Sequence, residues 1–212
     1  MLDSIPSTEI IFGTESWLDE DINNPELNLN NFEIYRRDRA DRSGGGVFLA
    51  IKKTLKSTLI LKSNHSESIF VKIDIPKKSP LILCCAYRAP DLSKLDFELM
   101  CTEISEIKNK YKNNLFWLAG DFNLPDIDWK TNTITGHQYS LPVNQLFFDT
   151  INELGLFQTV TSPTRGKNIL DLFFTNNKNF IKNCTVISII SDHHAVHIDS
   201  NISFIPKILL KE

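Results

Sequence analysis

Two stretches of this chain, "VFLAI" (47–51) and "LILCCA" (81–86), are almost unbroken apolar runs of strand length. A strand with one wet face alternates apolar and polar residues, so continuous runs belong to strands covered on both faces. Around them lie further strand-like runs at 8–15, 68–75, 115–120, 169–175, 185–191 and 195–200. Two of these, "FVKIDI" and "AVHIDS", alternate as half-exposed strands do. Two helices are expected. In "LSKLDFELMCTEISEIKNKY", Ser93 and Asp96 fit a loose capping box, and Leu95, Leu99, Ile104 and Ile107 recur at helical spacing. In "PVNQLFFDTINELGL", Pro142 stands near the start and Gly155 just past the end. The segments "DINNPELNLNN", "RRDRADRSGGG" and "LPDIDWKTNTITGHQYS" read as loops. No repeat or linker divides the chain, and its 212 residues suit one α/β domain over 1–202 with a short tail at 203–212. Its sheet is expected to be mostly antiparallel, with helices outside.

Composition narrows the function classes. No apolar stretch is long enough to span a bilayer, and "MLDSIPSTEI" lacks the basic and apolar regions of a secretory signal. The four cysteines show no CxxC spacing, and buried reduced thiols imply a cytoplasmic or nuclear location rather than a secreted one. A formal charge of -3 gives no general affinity for nucleic acid, so any such contact must come from local basic patches.

Several strand-like runs end in polar groups. Glu15 follows "EIIFGT", Tyr87 and Arg88 end "LILCCAYR", Asp121 and Asn123 follow "LFWLAG", and Asp192 and His193 follow "TVISIIS". Brought to one rim, these groups make an oxygen-rich pocket on rigid strand ends. In an extended segment Asp121 and Asn123 would point to one side while Phe122 turns inward. The bland alternative is a turn acid and a turn amide. Asp171 interrupts the apolar "ILDLFFT", where a carboxylate is costly unless bonded. Either the backbone satisfies it, or it orients and charges a histidine, with His193 as the partner. His193 and His197 are four apart, but the stretch alternates like a strand and lacks the HExxH glutamate, which argues against zinc. Carboxylates and an amide without convergent thiols favour Mg²⁺, or Mn²⁺, and with it phosphate-ester chemistry. Basic residues cluster as Arg36, Arg37, Arg39 and Arg42, with Arg88, Arg165 and Lys167 elsewhere. Asp38 and Asp41 interleave the first group, so it is either a phosphate-contacting loop or a solvated mixed-charge one.

Six segments in order resemble the endonuclease/exonuclease/phosphatase superfamily of DNase I-like, apurinic endonuclease-like folds. They are "TESWLDEDI", "RSGGGVFLAIKK", "CAYRAP", "LAGDFNLPDIDW", "SPTR…NILDLFFTN" and "SDHHAV", spanning about residues 8–200. The wording is similar to the endonuclease domain of non-LTR retrotransposons of jockey or CR1 type. The resemblance implies a four-layer α/β/β/α sandwich of two mostly antiparallel sheets, and Mg²⁺-dependent nicking of DNA. It also implies a partner reverse transcriptase, normally fused downstream. Glu15 and Asp192 resemble metal-site acids. Asp121 and Asn123 resemble the pair that activates water and holds the phosphate. Tyr87 resembles a phosphate-contacting tyrosine, His193 the histidine on the scissile phosphate, and Asp171 the acid orienting it. Arg88, Thr164, Arg165 and Ser191 match positions expected to touch the DNA backbone. The family begins with one more strand, ending in asparagine, so the chain is expected to be amino-terminally truncated. Relatives on this fold also act on phosphoinositides, sphingomyelin or RNA tails.

Overall fold

The computed structural model describes residues 8–39, 44–188 and 192–204. Strands β1 (Ile10–Thr14), β2 (Phe32–Arg37) and β3 (Val47–Lys52) form an antiparallel sheet in the order β1-β3-β2. Next come β4 (Ser57–Lys62), β5 (Glu67–Ile73), β6 (Leu81–Tyr87) and β7 (Leu115–Asp121), then a small ribbon of β8 (Ile127–Asp128) and β9 (Thr133–Ile134). With β10 (Phe157–Gln158) and β11 (Asp171–Thr175), the larger strands build a six-stranded sheet in the order β10-β11-β7-β6-β5-β4. Only its β6–β7 pairing is parallel. Finally β12 (Ile181–Ile187) and β13 (Ala195–Ser200) pair as an antiparallel ribbon.

The doubly covered runs are where the sequence puts them. All of β6 is buried, and so is most of β3. One apolar cluster fills the space between the sheets, joining Leu49, Ile51, Val71, Leu83, Trp117 and Phe173. A second cluster lies on the other face of the six-stranded sheet, beneath α1 (Lys94–Lys110) and α2 (Leu141–Glu153). The expected DNase I-like α/β stack is therefore present. Both helices lie on the same side of it, and among the described residues the other side carries no α-helix.

Ser93 caps α1, its Oγ accepting from Asp96 N at 3.1 Å. The buried face of α1 is Phe97, Met100, Cys101 and Ile104, whereas Leu95, expected inside, is 64% exposed. Two segments read as loops contain strands: "RR" of the arginine cluster ends β2, and β8 and β9 lie within 124–140. Strand β4 was also unanticipated, its residues being only partly covered. The core runs past the expected boundary at 202, for Phe204 is buried. All four cysteines are free thiols. No described helix is long and apolar enough to cross a membrane.

Candidate active site

Register across the six-stranded sheet assembles the site. Asp171 of β11 stands directly opposite Asp121 of β7, and Asp121 is in register with Tyr87 of β6. Three residues distant in sequence thus form one row across three strand ends. His193 completes the row, its Nδ1 2.9 Å from Asp171 Oδ2. Glu15, one residue past β1, accepts a hydrogen bond from the Tyr87 hydroxyl. All but Tyr87 of these groups line one cavity.

Like charges directly opposite in a sheet repel. Burial first, and then the Asp171 carboxylate, push the Asp121 carboxyl up to about 7. The hydrogen bond that His193 donates to Asp171, outweighing burial, raises its imidazole above its ordinary value and favours the cation. Burial and the Glu15 hydrogen bond hold the Tyr87 phenol protonated. One donor atom each of Asp121, Asp171 and His193 lie within 4.8 Å of one another, close enough to hold a cation.

Asn123 reaches the site differently from the expected extended pattern. Its φ is 47°, a left-handed turn, and its Nδ2 donates to Asp121 Oδ2 and to the Arg88 carbonyl, each at 3.0 Å. Its backbone N–H also donates to Asp121 Oδ1 at 3.0 Å. The amide is therefore nearly buried and grips the carboxylate, while Phe122 turns into the core as expected. Glu15 also adopts positive φ, at 49°, which costs more for Glu than for Asn.

Two residues expected to touch DNA face inward. Arg88 is 2% exposed; its guanidinium stacks between Phe97 and Tyr139, with Nη1 donating to the Asn123 carbonyl. It braces the turn at Asn123 from behind and is turned away from solvent. Thr164 is fully buried, its Oγ1 accepting from the N–H groups of Leu170 and Asp171, so it fixes where β11 begins. Arg165 is exposed and pairs with Asp192 at 2.6 Å. Asp192, expected at a metal, thus turns its carboxylate toward Arg165 at the surface and lies outside the three-residue cluster. Ser191 and Arg42 lie outside the described residues.

The remaining arginines of the loop cluster serve the fold. Arg36 pairs with Asp38 and reaches the Ile22 carbonyl, Arg37 donates to the Ser63 carbonyl, and Arg39 pairs with Glu67 over the Tyr87 ring. Sequence reasoning missed Trp17, which is 65% exposed on the cavity rim beside Glu15. The signal available in the sequence was a tryptophan two residues after Glu15.

The sequence profile of the family described as endonuclease-reverse transcriptase matches residues 81–197, more than half of the chain. No curated protein sequence matches. Among solved structures, the endonuclease domain of TRAS1, a telomere-specific non-LTR retrotransposon, is similar with a TM-score of 0.69 at 15% identity, covering 95% of this chain and 90% of that one. The 3′ phosphatase NExo from Neisseria, bound to a product DNA hairpin, has a TM-score of 0.66 at 15% identity, with 95% and 93% covered. An AP endonuclease from Archaeoglobus fulgidus has a TM-score of 0.63 at 11% identity, with 94% and 91% covered. At these identities the structures speak for the fold, and the profile speaks for descent. The chain belongs to the endonuclease-reverse transcriptase family, within the DNase I-like endonuclease/exonuclease/phosphatase superfamily.

Proposed function

We propose that this domain is a Mg²⁺-dependent endonuclease that hydrolyses a DNA phosphodiester, nicking target DNA for insertion of a non-LTR retrotransposon of jockey or CR1 type. The observation that carries this reading is the row of Asp171, Asp121 and Tyr87 across adjacent strand ends, with His193 bonded to Asp171. The donors around it are mainly carboxylate oxygens, a set that fits a small hard cation such as Mg²⁺ or Mn²⁺. Glu15 would hold it. When bound, the ion supplies Lewis-acid stabilisation of charge developing on the phosphate.

The protein groups account for the rest of the chemistry. Asp121 takes a proton from the attacking water, and both donors of Asn123 fix its orientation. Protonated His193 places positive charge and a donor beside the phosphate, and Asp171 sets its ring orientation. Tyr87 keeps its proton and fixes the Glu15 carboxylate. Arg165, at the rim, meets the DNA backbone. The product 3′-hydroxyl is a primer end for a reverse transcriptase fused downstream.

Supercoiled plasmid tests this. Nicked circles should accumulate with Mg²⁺ and not with chelator, and Asp121→Ala or His193→Ala should each slow nicking by roughly 10²–10⁴-fold with circular dichroism unchanged. Variants nicking as fast as the parent would remove these residues from the mechanism. Phosphate release from a phosphoinositide without plasmid nicking would change the substrate, and neither activity would identify a non-catalytic domain.

A further inference from the structure

Five strands of the large sheet finish together at the end away from the candidate site. In register, Ser57 of β4 meets Ile73 of β5, Ile73 meets Leu81 of β6, Leu81 meets Leu115 of β7, and Trp117 of β7 meets Thr175 of β11. The segments at these ends are "KKTLK" (52–56), "PKKSP" (76–80), "KNKYKNN" (108–114) and "NNKNFIK" (176–182). They hold ten lysines and no aspartate or glutamate. The chain has 23 Lys and Arg and 26 Asp and Glu, so everything else holds 13 of the cations and all 26 acids. Hydrogen bonds join the four segments: Asp74 N donates to the Lys56 carbonyl at 2.9 Å, Asn114 Nδ2 to the Pro80 carbonyl at 3.1 Å, and Asn176 Nδ2 to the Asn114 carbonyl at 2.9 Å. The lysines thus form one band across five strands, about 19 Å long at about 4.8 Å per strand. The seven residues of β6 hold it about 20 Å from Tyr87, more than two Debye lengths at physiological salt, so the site's acids do not cancel it.

We infer that this band binds single-stranded nucleic acid, at a surface separate from the candidate active site. The fold accounts for only some of these charges. Lys108 and Lys110 close the last turn of α1, where a cation favours the helix dipole, and Lys56 and Lys182 pair with Asp74 and Asp199. Lys53, Lys77, Lys78 and Lys112 are exposed and have no ion-pair partner among the described residues. Clustered like charges repel unless a polyanion neutralises them. Lysine meets phosphate as a point charge without fixed geometry, which suits a backbone of any sequence. The aromatic groups decide which polyanion. Phe157, opposite Thr175 at this same end, is 46% exposed, with Lys178 Nζ 4.7 Å from its ring centroid. A ring beside a cation holds an unpaired base by stacking while the neighbouring phosphate meets the lysine. A duplex keeps its bases inside and an acidic polypeptide has none, so either gains charge attraction alone. The inference concerns this end of the sheet and holds whether or not the domain cleaves DNA.

Fluorescence anisotropy on the full chain with chelator present tests it, using labelled twelve-nucleotide oligo-uridine and oligo-thymidine as probes. Each should bind with a slope of log affinity against log salt concentration of about -3, from about -0.7 for each of the four unpaired lysines. A duplex of the same length should bind roughly tenfold more weakly at physiological salt. The triple variant Lys77→Glu, Lys78→Glu, Lys112→Glu should weaken single-strand binding roughly thirtyfold or more, with circular dichroism and plasmid nicking as in the parent. Phe157→Ala should weaken it roughly fivefold or more and leave the salt slope unchanged, which a purely electrostatic surface would not do. Binding of either oligonucleotide supports the inference, and the tighter one names the sugar. Unchanged affinity in the triple variant, a larger loss from Arg165→Ala, or duplex or polyglutamate binding as tightly as the single strand would overturn it.

Discussion

Asp121 is the residue on which the site's electrostatics converge. Its carboxyl is held near 7 by burial and by Asp171, against about 3.9 for a free aspartate. The folded protein therefore binds a proton that the unfolded chain has already released. Stability from this group is full below about pH 4 and is lost as the pH rises to about 7. With chelator present, Asp121→Asn should stabilise the fold by a few kcal/mol at pH 8, because each tenfold change in proton affinity is worth about 1.4 kcal/mol. At pH 4 the same substitution should gain almost nothing. Urea unfolding at the two pH values checks this; equal gains at both would mean that side-chain polarity, not charge, is being relieved. His193 runs the same way for a different reason: the Asp171 bond stabilises the fold at low pH and loses its charge as the pH climbs past the raised imidazole value. The Asp171–His193 pair was legible in the sequence because a carboxylate between Leu170 and Leu172 demands a partner. Arg88 and Thr164 were not, since a motif gives a residue's neighbours in sequence and not the side to which it turns. Only the structure puts the Arg88 guanidinium between two rings rather than toward solvent.

At the scale of elements, strands buried on both faces were legible from composition alone, and β3, β6 and β7 lie where their apolar runs lie. Strands β2 and β4 were not, because their polar and charged residues are satisfied by partners far along the chain, such as Tyr35 with Ser57. The end of β7 shows how an element delivers a site. Gly120 has φ 150°, and a Cβ there would sit 1.7 Å from the Ala86 carbonyl oxygen of β6. That close approach lets β6 and β7 run in parallel register to Tyr87 and Asp121. Gly120→Ala should therefore cost more than about 3 kcal/mol and separate the site row before it unfolds the helices. Chemical denaturation measures the loss, and a cost under about 1 kcal/mol would show that the strands part easily.

The whole molecule sets how tightly nucleic acid can be held. With a formal charge of -3, and with Arg36, Arg37, Arg39 and Arg88 occupied inside the fold, few cations among the described residues remain to face a substrate near the site. Arg165 and Lys167, both exposed on one loop beside the candidate site, are the described pair placed to do so. Each phosphate neutralised contributes about -0.9 to the slope of log affinity against log salt concentration. The proposed nuclease should thus bind duplex DNA weakly, with a slope of about -2. Fluorescence anisotropy on the Asp121→Ala protein, from low to physiological salt, gives the slope directly. Arg165→Ala should reduce its magnitude by about 1 and weaken different sequences alike. A slope of about -5 or steeper would require several more cations than this face supplies, and would move the nucleic-acid surface away from the loop of Arg165.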